Sequence, residues 1–168
     1  MELKKIFKII TIIGIILILL DQTSKILINN YMEKEMKIIP NNILTITKVE
    51  NEGMAFGLNK QNIGNIGLSV IILIVIFNYI IAQKDRLTKP VVIYLSFIIS
   101  GGISNVIDRI FKGAVFDFIK IGSFPVFNFA DIYIVCGWIL FVINFVKYTA
   151  IDIKAEIPVK DNNKNKRK

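Results

Sequence analysis

The sequence predicts an all-α membrane protein, four transmembrane helices with a small β element at their outer face, and three observations carry that prediction. Hydrophobic residues make up 54% of the 168-residue chain, and the mean hydropathy of +0.58 is too apolar for an ordinary soluble domain. Four apolar runs each approach the ~20 residues needed to cross ~30 Å of hydrocarbon. Charge is sorted between the segments that join those runs.

The first run extends from Ile6 to about Ile28. Its flanking Lys4, Lys5 and Lys8 imitate a cleavable leader, but Asp21 to Lys25 stand where a small-x-small cleavage site belongs, so a retained span is expected. The second run covers Ile63 to Ala82, the third Val91 to Ile107 and the fourth about Phe127 to Val146. Pro90 opens the third, a position where its missing N–H costs nothing.

The N-terminus, the Gln83 to Lys89 loop and the tail from Lys147 together hold 13 basic and 5 acidic residues; the remaining segments hold 8 of each. The whole formal charge of +8 therefore falls on one side, which the positive-inside rule makes cytoplasmic, with both termini there. A single integral-membrane domain over 1–168 is expected, with 150–168 a basic cytoplasmic tail that meets anionic lipid and not nucleic acid. Among the outer segments, "NILTITKVE" alternates like a strand before the turn signal "NEG", and "KGAVFDFIKIGSFP" has extended pieces broken by Gly113, Gly122 and Pro125.

The chain has no histidine and one cysteine, Cys136. That excludes Ser-His and Cys-His nucleophiles, a histidine zinc site and an intrachain disulfide. Cys136, inside an apolar run, reads as a small buried or lipid-facing side chain. Chemistry is left to carboxylates, lysines, hydroxyls and backbone.

Polar residues gather at the outer ends of the runs: Asp21, Lys25, Asn51, Asn105, Asp108, Arg109, Asp117, Asn128 and Asp131. Ionisable groups at a membrane edge are costly, so each is a candidate for function. Asp21 and Lys25 share a helix face at i,i+4, which suits a local ion pair as well as a site role. Arg109, four residues after Asn105, offers five fixed donors that serve either a site or a loop. Gly101 and Gly102 suit close helix packing.

Asp117 lies between Phe116 and Phe118, so strand alternation turns the two rings to one face and the carboxylate to the other. Asp131 sits in the opening turn of a fourth run that is too short without it, where an acid also suits the helix N-terminus. Two carboxylates near apolar surface, with no histidine available, suggest a pair that shares one proton, one member activating water and the other polarising a carbonyl.

Five blocks then resemble the lipoprotein signal peptidase family, bacterial signal peptidase II: "DQTSK" (Asp21 to Lys25), "NEGMAFG" (Asn51 to Gly57), "GGISNVIDR" (Gly101 to Arg109), "GAVFDF" (Gly113 to Phe118) and "FNFAD" (Phe127 to Asp131). They follow the family's order over residues 6 to 148. The resemblance implies an aspartic endopeptidase that removes the signal peptide of a prolipoprotein just before a diacylglyceryl-modified cysteine. It places the catalytic pair on Asp117 and Asp131 and supporting or substrate-binding roles on Asn51, Gly53, Asn105, Arg109 and Asn128, with Asp21 and Lys25 in the first block.

The resemblance further implies four helices with an extracytoplasmic β-cradle, no metal and no cofactor. The expected partners are lipidated prolipoproteins and membrane lipids, the expected unit is a monomer, and the expected home is the bacterial cytoplasmic membrane with the site at its outer face. The chain departs from the family in Ile132, where a small or hydroxylated residue often follows the final aspartate. The alternative from another class is a small four-helix transporter, which places its ionisable residues near the bilayer midplane, where these runs are apolar. A Ser-Lys peptidase built on Ser24 and Lys25 is disfavoured because adjacent helical residues diverge.

Overall fold

The computed structural model describes residues 1–33, 35–39, 43–53 and 62–156. In chain order the elements are α1 (Leu3–Tyr31), β1 (Met36–Ile39), β2 (Leu44–Asn51), α2 (Asn62–Gln83), α3 (Lys89–Lys112), β3 (Val115–Ile121) and α4 (Phe129–Glu156). Met54 to Gly57 of the second block, Lys34, Lys60 and residues 157–168 of the expected tail lie outside the described residues.

Among the described residues, three helices are long and apolar enough to cross a membrane: Ile66–Gln83 within α2, Lys89–Lys112 and Phe129–Lys147 within α4. The N-terminal run is also one helix, the 29-residue α1. Its apolar stretch runs from Ile9 to Leu20 and ends in Asp21. Side-chain exposure is inverted relative to a water-soluble bundle: Ile12, Ile15, Leu19, Ile71, Val75, Val135, Ile139 and Val142 all face outward. Only an apolar surrounding makes such a surface favourable. Cys136 is exposed on the same belt.

Helix α3 is the hub and packs against α1, α2 and α4, most extensively against α4. Its length has local causes. Pro90 stands in the first turn, and Gly113 ends the helix in the left-handed region at φ 80°, with its N–H on Arg109 O. Such a cap favours a residue without Cβ. The helix therefore runs five residues past the expected Ile107 and carries Asp108 and Arg109 on its last turns. The other difference is at the C-terminus, where α4 continues to Glu156 into the expected tail. The sequence offers no glycine or proline between Gly137 and Pro158 to stop it.

Close approach of α3 to α4 depends on small residues. A Cβ on Gly101 would collide with the Ala130 carbonyl oxygen and lie 2.7 Å from Ile134 Cγ1, and one on Gly137 would lie 2.7 Å from Ile98 Cγ1. Buried Ile6, Ile76, Ile80, Val92, Leu95 and Ile98 fill the interior of the bundle.

The three strands form one antiparallel sheet in the order β1-β2-β3. Both outer segments yield the expected strands; β1, only four residues long, carries no period that marks it in the sequence. Val49 pairs with Asp117 and Asn51 with Val115. After β3 the chain turns at Gly122 and comes back along itself, with Ile119 bridged to Phe127. That return delivers the chain to the start of α4 beside Asp117.

Candidate active site

The site forms where β2, β3, α3 and the first turn of α4 meet. On β3, Phe116 and Phe118 turn to one side with ring centroids 6.4 Å apart, and Phe118 meets Phe129 edge to face at 5.3 Å. The alternation read from "VFDFI" therefore holds, and it sends Asp117 to the opposite face. Asp117 is only 2% exposed.

Its two oxygens are both occupied. Asn51 Nδ2 donates to Oδ2 at 2.9 Å, and Asn128 Nδ2 donates to Oδ1 at 2.6 Å. Asn51 is set for this by a local turn in which Gly53 N–H donates to Asn51 Oδ1 at 3.1 Å, an Asx turn that leaves the amide nitrogen pointing away.

Asp131 is held just as completely. Asn128 stands immediately before α4, and its Oδ1 accepts the Asp131 N–H at 3.0 Å while Asp131 Oδ2 accepts the Asn128 N–H at 3.1 Å. This reciprocal pair is a capping box with aspartate in place of glutamate. Asp131 Oδ1 remains for Asn105 Nδ2, at 2.8 Å. Capping and a place in the site are thus divided between the two oxygens of one carboxylate, and Asn128 touches both aspartates.

Burial pushes the Asp117 carboxyl up from the ordinary 3.8 to about 6; the Asn51 bond opposes the rise, the nearby charge of Asp131 adds to it, and the Asn128 bond opposes it. Between those two values the folded protein keeps a proton that the unfolded chain has released. Asp117 therefore costs stability progressively as pH rises through that interval. Thermal unfolding of Asp117→Asn and the parent should show a gap that moves in the variant's favour by about 2 kcal/mol between pH 4 and pH 7. A gap that moves the other way rules out the raised carboxyl.

Behind the aspartates lies a second polar cluster. Lys25 Nζ is 2.6 Å from Asp21 Oδ2 and 2.6 Å from Asp108 Oδ2, all three side chains fully buried. The expected i,i+4 pair exists, and α3 supplies it with a second acid. Asp21 also accepts the Ala130 N–H at 3.0 Å and the Ser104 hydroxyl at 2.7 Å, which ties α1 to the first turn of α4 and to α3. Gln22 Nε2 donates to Ser104 Oγ at 3.0 Å and to Asp108 Oδ1 at 3.1 Å. Lys112 Nζ closes the cluster on Asp108 Oδ1 at 2.9 Å.

Arg109 lies one turn beyond Asn105, whose carbonyl it reaches through Nη1 at 3.5 Å. Its Nε is buried and has no hydrogen-bond partner among the described residues. Of the residues marked in the sequence, Asn51, Asn105, Asn128, Asp117 and Asp131 come together directly; Gly53 and Lys25 bond to asparagines of that group, and Asp21 joins it through Lys25. Gln22 and Ser104 were not singled out, and Asp108 was marked only as one of the polar residues at the ends of the runs. The spacing Ser104, Asp108, Lys112 is the available signal, because it lines three polar side chains along one face of an apolar helix.

A model of the signal peptidase II family matches residues 13–147. The chain belongs to this family. Relatives include the lipoprotein signal peptidase of Wigglesworthia glossinidia brevipalpis, 37% identical over 129 residues, or 73% of this chain and 83% of the relative. That of Syntrophomonas wolfei is 36% identical over 133 residues, covering 77% and 87%. A solved bacterial membrane enzyme, determined by the in meso method, superposes with a TM-score of 0.78 at 30% identity and covers 90% of this chain and 94% of its own. Signal peptidase II membership makes the chain a membrane peptidase and does not favour the transporter alternative.

Proposed function

We propose that this signal peptidase II is an aspartic endopeptidase that cleaves prolipoproteins just before a diacylglyceryl-modified cysteine, with Asp117 and Asp131 as its catalytic pair. The observation that carries the reading is the site's symmetry: two buried or half-buried carboxylates on different elements, bridged by Asn128, each with an N–H on both oxygens. Those donors let a carboxylate stay ionised despite its burial, while the mutual repulsion of the pair favours retaining one proton.

Chemistry follows from that state. A water between the carboxylates loses a proton to the ionised one as its oxygen bonds to the scissile carbonyl carbon. The protonated partner gives its proton to the carbonyl oxygen. The resulting gem-diol collapses as the C–N bond breaks, one proton moving to the leaving nitrogen. The products are a carboxyl end on the signal peptide and a free amine on the lipidated cysteine. Arg109, whose Nε has no partner among the described residues, and Asn51 at the end of the central strand suit a role in holding extended substrate backbone, which needs polar partners once it leaves water.

In this reading α1 is the fourth span, and one domain covers the chain. The location is the bacterial cytoplasmic membrane, with both termini inside, the aspartates at the outer face, and the chain acting as a monomer among membrane lipids. Support comes from the +8 charge asymmetry and from the sheet, which lies at the bundle end opposite the basic segments. No cofactor enters the scheme. The test is purified protein with a synthetic prolipoprotein peptide, diacylglyceryl-modified or not, and mass spectrometry of the products. Cleavage before the cysteine of the lipidated peptide alone is expected; cleavage elsewhere, or equal cleavage of both, overturns the substrate assignment.

A further inference from the structure

An asparagine side chain has a donor face and an acceptor face, so what stands behind each amide decides which one meets the aspartates. Behind Asn51 is the Gly53 N–H, and behind Asn128 is the Asp131 N–H, both backbone groups of the same local turn. Asn105 sits within α3 and has no such backbone donor among the described residues. Its Oδ1 accepts from Asn128 Nδ2 at 3.2 Å and from Lys25 Nζ at 3.5 Å. Lys25 is 1% exposed, and two anions fix its ammonium group. With Lys112 the cluster holds two cations and two anions, so it adds an oriented donor beside the site without a net charge.

We propose that Lys25 is a positioning residue that sets the donor face of Asn105 toward Asp131, and that Asp108 holds Lys25 in place for this task. The inference rests on the reading of Asp117 and Asp131 as the catalytic pair. Without the ammonium, the Asn105 oxygen keeps only the Asn128 Nδ2 donor at 3.2 Å, and the amide turns that oxygen to the carboxylate more readily. An acceptor in that place favours the protonated acid, and the pair then lacks an ionised base at neutral pH. Asn128 shares the Asn105 oxygen as an acceptor, so its own bond to Asp117 loosens with it. The charged side chains whose fields reach the pair are Lys25 and Asp21 from α1 and Arg109 from α3.

The test replaces one cation and one anion together, which keeps the cluster's net charge at zero and leaves Asp21 its Ser104 and Ala130 donors. Lys25→Met with Asp108→Asn removes both the charge and the N–H donor; Lys25→Gln with Asp108→Asn removes the charge and keeps a donor. The Met double variant should show kcat about tenfold or more below the Gln double variant, the effect of one hydrogen bond to a charged network. KM should stay within about twofold, and the acid limb of the pH–rate profile should move to higher pH in the Met variant alone. Equal kcat and equal acid limbs overturn the inference.

Asp117→Asn and Asp131→Asn are run in the same assay. If those remain active, the catalytic-pair reading falls; if they are inert while the Met and Gln variants match, only the role of Lys25 falls. Should the Met variant fail to accumulate, the parent protein decides through nitrogen-15 labelling of its asparagines. The Asn105 side-chain amide should shift with the same apparent midpoint as the acid limb, and an amide that does not titrate overturns the proposal.

Discussion

Asp117→Asn and Asp131→Asn, made separately, are expected to lower kcat for prolipoprotein cleavage by about 10²–10⁴-fold, the range for loss of a general acid or base. Either change is close to isosteric, so the packing is kept, although the new amide nitrogen faces an N–H where a carboxylate oxygen accepted one. At Asp117 the new amide still fills the space between Asn51 Nδ2 and Asn128 Nδ2. What it cannot do is accept a proton from water or return one to a carbonyl. At Asp131 the amide oxygen can still take the Asn128 N–H that closes the capping box, so α4 should keep its first turn. KM should change little, because neither group is needed to hold the substrate backbone. Steady-state cleavage of a lipidated peptide, with thermal unfolding as the fold control, measures both. Substantial turnover by either variant sinks the paired-aspartate mechanism.

Gly101→Ala is the second change with a large expected effect, and it touches no polar group. The added methyl meets the Ala130 carbonyl oxygen and Ile134 Cγ1 across the α3–α4 contact. Backbone cannot rotate out of the way as a side chain can, so the helices must part. A loss of about 1–3 kcal/mol is expected for overpacking of this kind. Ala130 is also the residue whose N–H is bound by Asp21, and Asp131 follows it directly. A shift of the α4 first turn therefore moves one carboxylate relative to the other, and a displacement of ~1 Å costs about 10²-fold in rate.

Gly102→Ala is the internal comparison. Its methyl would sit 3.2 Å from Leu73 Cδ2, the end of a flexible side chain. That change should be neutral, or gain up to about 1 kcal/mol from helix propensity. Thermal unfolding and cleavage of the two variants side by side give the answer, and equal behaviour would show that the α3–α4 contact is looser than described.

Much of the bundle was legible because membrane helices write their length and apolarity directly into the chain. Three of the four runs lie within a helix, and the fourth starts two residues before α4. The ends were less legible: α3 outlasts its apolar run because a left-handed cap at Gly113, not the loss of hydrophobicity, stops it. Strand β3 was readable from the alternation of Phe116, Asp117 and Phe118. Strand β1 was not, since its four residues Met36–Ile39 are all exposed and owe their pairing to β2.

The site divides along the same line. Residue types by themselves narrowed the chemistry to carboxylates, lysines, hydroxyls and backbone, because histidine is absent, and they showed the acids gathered at the ends of apolar runs. They also determined the i,i+4 pairing of Asp21 with Lys25, since helix geometry alone brings those side chains together. Only the tertiary structure decided which way the Asn105 amide faces and which acid completes the Lys25 cluster. Asn51 and Asn128 are held by backbone N–H groups two and three residues on, whereas the Asn105 oxygen accepts from Asn128 and Lys25, 23 and 80 residues away in the chain. Hydrogen-bond direction depends on what stands behind a group in space, and no local pattern of residue types encodes that.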